Sequence, residues 1–232
     1  ALKWFTQNRL KINPTKTEMI ILRSHRQKGN VESSIAFGND VISPKQCVKV
    51  LGVVIDQHLT WNNHVSLVVQ RCYCVLVSLA RARHRLPKCV RCMLVESLVF
   101  PHIRYCIAVW GSCTATQKQR VQKAINFGVR IVNGLSRREH VTPSLRELGW
   151  PNVDELITER DIAAMRHLIT SPCAPEVLRS RVVRRSDVSS RRTRASEGGR
   201  LELPRARTEF ARRSFLHRAS RAWNALLIDQ AP

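Results

Sequence analysis

The 232 residues carry 39 Lys and Arg against 17 Asp and Glu, a formal charge of +22, and 44% of them are apolar. That length and apolar fraction exclude a wholly disordered basic chain, and the charge points to a polyanionic partner, nucleic acid before an anionic membrane surface. No uninterrupted apolar run approaches about 18–20 residues, so no segment is expected to span a bilayer.

No charged-then-apolar leader opens the chain, and its first residue is Ala1, which reads as a piece of a longer product. Cys47, Cys72, Cys74, Cys89, Cys92, Cys106, Cys113 and Cys173 sit mostly inside apolar stretches, where free cysteine behaves as a small hydrophobe. The reading is a reducing compartment, nucleus or cytoplasm, with no disulfide framework.

Residues 1–10 read as the end of a helix with Leu2, Phe5 and Leu10 turned inward, stopped at Asn13-Pro14. Thr17–Leu22 reads as a short strand and Arg23–Ser34 as a polar loop. Ile35-Ala36-Phe37 and Val41-Ile42 flank a Gly38-Asn39-Asp40 turn and form a hairpin. Val48–Ile55, nearly all β-branched or apolar, is the strongest strand signal. After Trp61 the period changes from two to 3.6. Val65, Val68, Val69, Cys72, Leu76, Leu79 and Ala80 fall on one helical face, with Asn62 or Asn63 as its cap and Arg81, Arg83 and Arg85 crowding its C-terminal end.

Pro87 opens the next helix, which runs to Phe100-Pro101. A third starts at Thr114, with Gln117 in capping-box spacing, and Gly134 closes it. Weaker helical segments follow at about 142–148, 152–170 and 174–181. Residues 179–221 then hold 14 Arg, no Lys and four acids, a net +10. The first half of that stretch reads as flexible linker. Thr208 starts a last helix, with Ala211, Phe215, Ala219, Ala222, Trp223 and Leu226 on its apolar face and Arg213, His217, Arg218 and Arg221 mostly opposite.

Asn8-Arg9-Leu10-Lys11-Ile12-Asn13-Pro14-Thr15-Lys16-Thr17-Glu18 resembles motif D of reverse transcriptases from non-LTR (LINE-type) retrotransposons. Val48-Lys49-Val50-Leu51-Gly52-Val53-Val54-Ile55-Asp56 is similar to motif E, the primer-grip hairpin. Leu59-Thr60-Trp61-Asn62-Asn63-His64 is like that family's entry into the thumb. The likeness continues through Ser97–Pro101, Tyr105, Val109-Trp110-Gly111, Arg120-Val121-Gln122 with Asn126, and Glu139–Pro143. It ends at Leu203–Thr208, Arg212–Phe215, Arg218-Ala219 and Trp223-Asn224.

The resemblance implies a fragment of an RNA-directed DNA polymerase, with an RNA template and DNA primer as partners, held as a hybrid duplex, and no membrane. Such an enzyme uses two Mg2+ ions held by palm aspartates, including an Asp-Asp pair. That pair would lie before Ala1, and no Asp-Asp pair occurs in this chain. No cofactor is therefore expected here, Mg2+ being implied for the intact enzyme, and no activity is expected of the chain alone. Asp40 and Asp56 read as turn and strand-end residues rather than metal ligands. Lys16 matches the motif D lysine, an auxiliary charge near the leaving pyrophosphate. Lys49, Leu51 and Gly52 match the primer grip, where glycine admits a primer backbone and lysine meets a phosphate. Arg81, Arg83, Arg85, Arg205, Arg207, Arg212 and Arg213 complete the expected nucleic-acid contacts.

Cys89-x-x-Cys92 has zinc-type spacing but no second pair to complete four ligands. Trp4, Trp61, Trp110 and Trp223 read as packing residues before base-stacking ones.

The expected fold is α+β, mainly α: a small β-hairpin region, then a helical thumb and helical extension. The expected divisions are 1–57 (end of the palm with the primer-grip hairpin), 58–135 (thumb), 136–184 (helical extension), 185–207 (Arg-rich flexible linker) and 208–232 (C-terminal amphipathic helix). A non-catalytic basic nucleic-acid-binding module and a decayed transposon product are the alternatives.

Overall fold

Two positive backbone angles decide the shape of the second β-hairpin. Leu51 has φ 46° and Gly52 φ 86°, the pair of left-handed residues that a tight two-residue hairpin turn requires. The strong strand signal over Val48–Ile55 is therefore folded back on itself. β3 (Cys47–Val50) pairs antiparallel with β4 (Val53–Asp56), Val50 opposite Val53. The computed structural model describes residues 2–9, 13, 16–24, 34–37, 40–188 and 199–229. The chain divides into two units, Ala1–Ser66 and Leu67–Pro232.

In the first unit, α1 (Leu2–Gln7) ends where the Asn8 amide and side chain both donate to the Trp4 carbonyl. The Gly38-Asn39 turn, Leu10 and Pro14 lie outside the described residues, but the hairpin around that turn is present: β1 (Ile35–Phe37) pairs antiparallel with β2 (Asp40–Ile42). Thr17–Leu22 does not form the expected strand. It makes one parallel bridge, Met19 opposite Pro44, beside which the Lys45 amide donates to the Met19 carbonyl at 2.7 Å. Pro44 has no amide hydrogen, so it cannot supply a donor to extend the ladder.

The second unit is helical. The chain crosses into it within α2 (Asn62–Ala82), which is followed by a 3₁₀ turn (Arg83–Arg85), α3 (Lys88–Leu98), α4 (Phe100–Arg104), α5 (Ile107–Trp110) and α6 (Ala115–Asn133). Then come α7 (Thr142–Glu147), α8 (Val153–Thr170), α9 (Glu176–Arg179), α10 (Arg185–Val188), α11 (Glu209–Arg212) and α12 (Phe215–Asp229). The arrangement is α+β and mainly α, as expected from the change of period at Trp61.

Its core takes in part of the stripe read from the sequence on α2, and adds residues of α3, α4, α5, α6 and α8. Cys72, Leu76, Val95, Ile103, Ile107, Trp110, Val121, Ile125, Val129 and Leu156 are all buried. Close approach of α6 needs a residue without a side chain. A Cβ on Gly128 would lie 3.2 Å from Val95 Cγ1 and 3.5 Å from both Leu76 and Trp150. Gly134 ends α6 in the left-handed conformation. Thr114 is its N-cap residue, but the expected capping box is not made. Gln117 instead accepts from the Arg120 guanidinium at 2.8 Å. A complete capping box opens α8, between Asn152 and Glu155.

Against the sequence expectation, Asn62–Arg85 is long and apolar enough to cross a membrane by length and composition; Gln70, Arg71 and Ser78 interrupt its apolar residues. Val68, Cys72, Leu76 and Leu79 on this helix are buried in protein.

The C-terminal part departs from the sequence reading in two ways. The expected linker is pinned at both ends. Arg184 bridges Leu201, the Arg185 amide donates to Arg200, and the Glu202 amide donates to Val183. Leu201 is 1% exposed in a cluster with Met165 and Ala219, and Asn224 bonds both its amide and its carbonyl. Residues 189–198 of that linker lie outside the described residues. The last helix is also in two pieces, α11 capped by the Thr208 side chain and α12 beyond Ser214. At the break the Arg213 carbonyl accepts from Arg218 Nη1 at 2.7 Å.

Candidate nucleic-acid interface

The hairpin tip presents its predicted residues together. Lys49 is exposed on β3, Leu51 is 86% exposed at the turn and Gly52 follows it. Asp56, at the end of β4, anchors the base. Its carboxylate accepts from the amides of His58 (3.1 Å), Thr60 (3.0 Å) and Trp61 (2.8 Å) and from the Thr60 hydroxyl (3.1 Å). Burial pushes this carboxyl up, but the amides of Thr60, Trp61 and His58 outweigh it and hold the group below the usual range. His64 adds a second tie, accepting the Val54 amide at Nδ1 (3.3 Å). Trp61 and His64 are both 4% exposed, so the Leu59–His64 pattern has a structural reason: it braces the hairpin. Lys16 is exposed in a single turn whose amide donates to the Asn13 carbonyl.

In the helical unit the predicted arginines separate. Arg81, Arg85, Arg205, Arg207 and Arg212 are exposed. Arg213 is half-buried, 3.9 Å from Glu209, at the edge of a cavity of about 690 Å³ that also holds the Lys118–Asp154 ion pair. Arg218, expected on the outward face of the last helix, is instead turned inward. It makes a two-point ion pair with Asp161, 2.9 Å at each contact, and also donates to the carbonyls of Arg213 and Ala108.

Arg83 alone of the predicted set lines a groove of about 590 Å³ between α2 and α6. Its other polar walls are Lys123, Asn126, Arg130 and Arg137, and its aromatic wall is Tyr73 stacked on Phe127, centroids 5.8 Å apart at 29°. The sequence reading missed Tyr73, Lys123, Phe127, Arg130 and Arg137. A signal was present: Lys123, Phe127 and Arg130 recur at i, i+4 and i+7, a second stripe on α6 beside the apolar one.

Of the tryptophans weighed for stacking, Trp61 and Trp110 are buried, Trp223 is half-buried and Trp4 is 56% exposed. All eight cysteines are free. Burial raises the Cys72 thiol to about 12. Among the described residues no group of three or more His, Cys, Asp or Glu side chains is placed to hold a metal. Asp56 is committed to backbone amides and Asp161 to Arg218, so these residues do not fit the paired Mg2+ ions of a polymerase.

One curated relative is similar over 160 residues, at 24% identity. It is a Drosophila melanogaster protein described as "Probable RNA-directed DNA polymerase from transposon BS". The match takes in 67% of this chain and 17% of the relative, so the chain spans less than a fifth of that protein's length. The likeness supports a reverse-transcriptase-like relationship. No protein-family model matches the chain, and no solved structure matches it.

Proposed function

We propose that this chain is the primer- and template-gripping C-terminal part of an RNA-directed DNA polymerase from a non-LTR retrotransposon. The observation that carries the reading is the likeness to a transposon polymerase over two thirds of the chain, alongside the ordered resemblance to motif D, the primer-grip hairpin and the thumb entry.

In this reading Lys49, Leu51 and Gly52 meet the primer backbone at the hairpin tip. Arg81, Arg85, Arg205, Arg207 and Arg212, exposed on the helical unit, hold phosphates of the hybrid duplex. The two Mg2+ ions of the intact enzyme would be held by residues outside this chain. Lys16 would lend a positive charge near the leaving group in the assembled enzyme.

The test is fluorescence anisotropy with a labelled RNA–DNA hybrid over about 50–200 mM salt. Affinity should fall linearly on a log–log plot and depend little on sequence. Replacing Arg205, Arg207 and Arg212 together by Gln should lower the slope by about 0.9 for each phosphate no longer neutralised. Absence of binding at low salt would remove the proposal.

A further inference from the structure

We infer that the groove between α2 and α6 is a binding site for single-stranded nucleic acid, with an unpaired base against the Tyr73–Phe127 wall and its phosphates on Arg83, Lys123, Arg130 and Arg137. This deepens the polymerase reading and rests on it for the class of partner.

The lining holds four cations and no carboxylate. Arg130 donates to the carbonyls of Asn126, Ser136 and Glu139. These acceptors are uncharged, so they shape the mouth of the groove without neutralising the guanidinium. Glu139 borders this wall: its carboxylate accepts the Ser136 amide at 2.6 Å and attracts Arg130, so Arg83, Lys123 and Arg137 carry most of the groove's positive charge. Lys123 and Arg137 are exposed, while Tyr73, Arg83 and Phe127 are half-buried. Ile131, also in the lining, is buried, and its carbonyl accepts from Arg91 Nη1 at 2.7 Å.

Cations around a partly open aromatic pair are the combination that grips single strands. Phosphates take the charge, and any base offers a face to the ring. A duplex keeps its base faces stacked inside, so the aromatic wall would have nothing to read there. A volume of about 590 Å³ lies in the range of small-ligand clefts, about 300–1,000 Å³, and suits a nucleotide unit rather than a helix.

The experiment titrates the full chain with labelled oligo(dT), oligo(rU) and a blunt RNA–DNA hybrid. It compares wild type with Lys123→Glu/Arg137→Glu and with Phe127→Leu, each checked for unchanged helicity by circular dichroism. Charge reversal at the two exposed positions should lower the single-strand salt slope by about 1.4, about 0.7 per phosphate. Phe127→Leu should weaken single-strand binding about fivefold or more. Hybrid affinity should change little in either variant. In parallel, 5-iodouridine crosslinking, read by mass spectrometry on the wild-type chain, should mark Tyr73 or Phe127. Hybrid binding without single-strand binding, equal loss on both probes, or crosslinks confined to residues 199–213 would overturn the groove and leave the polymerase reading standing. Loss of binding to every probe at low salt would overturn both.

Discussion

Asp161 on α8 and Arg218 on α12, 57 residues apart, meet in a two-point ion pair with Asp161 only 1% exposed. Burial pushes the Asp161 carboxyl above its ordinary value, against the pull of Arg218. A pair in which desolvation outweighs attraction specifies how two helices meet more than it stabilises them. Arg218→Met should therefore cost about 3–5 kcal/mol by leaving a buried carboxylate unpaired. The double variant Asp161→Leu/Arg218→Met should recover most of that. Urea unfolding followed by helical circular dichroism measures both, and a double variant as unstable as the single one would contradict the argument.

The Asp56 carboxylate makes the first unit sensitive to acid. Its folded value lies below its unfolded one. The stabilisation is therefore present above the ordinary carboxylate value of about 3.9 and is lost as pH falls through the lower folded value. Asp56→Asn should remove about 1.5–3 kcal/mol at neutral pH, the range for hydrogen bonds to a charged group, and should flatten the acid dependence of Trp61 burial. Tryptophan fluorescence between neutral pH and about pH 3 follows it, and identical acid profiles for the two proteins would count against this role.

Gly111 sits where α5 ends against α8. A Cβ there would lie 2.6 Å from the Ile107 carbonyl oxygen and 3.1 Å from Ile157. The first contact is with backbone, which cannot swing away. Gly111→Ala should destabilise by about 1–3 kcal/mol, seen as a lower urea midpoint with an unchanged slope.

Leu201 ties the arginine-rich segment to the helical core, so removing its side chain should cost about 2–5 kcal/mol. Phe215 and Trp223 are only half-buried beside it. Their replacement by Ala should cost less than the roughly 3–5 kcal/mol of a fully buried aromatic. Chemical denaturation of the three variants ranks them, and a Leu201→Ala protein as stable as wild type would mean the segment is not docked.

With Mg2+, template-primer and nucleotides, this chain by itself should extend no primer, because its described carboxylates form no metal-holding group. Denaturing gels resolve the products. Metal-dependent extension above a buffer control would reveal a carboxylate set that neither the sequence nor the structure displays.

Local rules carried much of the fold. The period of 3.6 after Trp61 marked the core face of α2, and Gly134 marked the end of α6. The turn chemistry of 35–42 marked a hairpin, because in each case the informative residues are neighbours in the chain. The turn at Leu51-Gly52 was not legible in this way: Val48–Ile55 reads locally as one strand, and only the resemblance to motif E pointed to a hairpin there. Tertiary structure decided what depends on distant partners. A basic residue on a helix has the same local pattern whether it meets water or a buried carboxylate. Only the packing of α8 against α12 turned Arg218 inward to Asp161, while Arg212 stayed exposed. Likewise nothing local paired Tyr73 with Phe127, which lie 54 positions apart in the chain on α2 and α6 and meet as one stacked wall among four cations only in the folded unit.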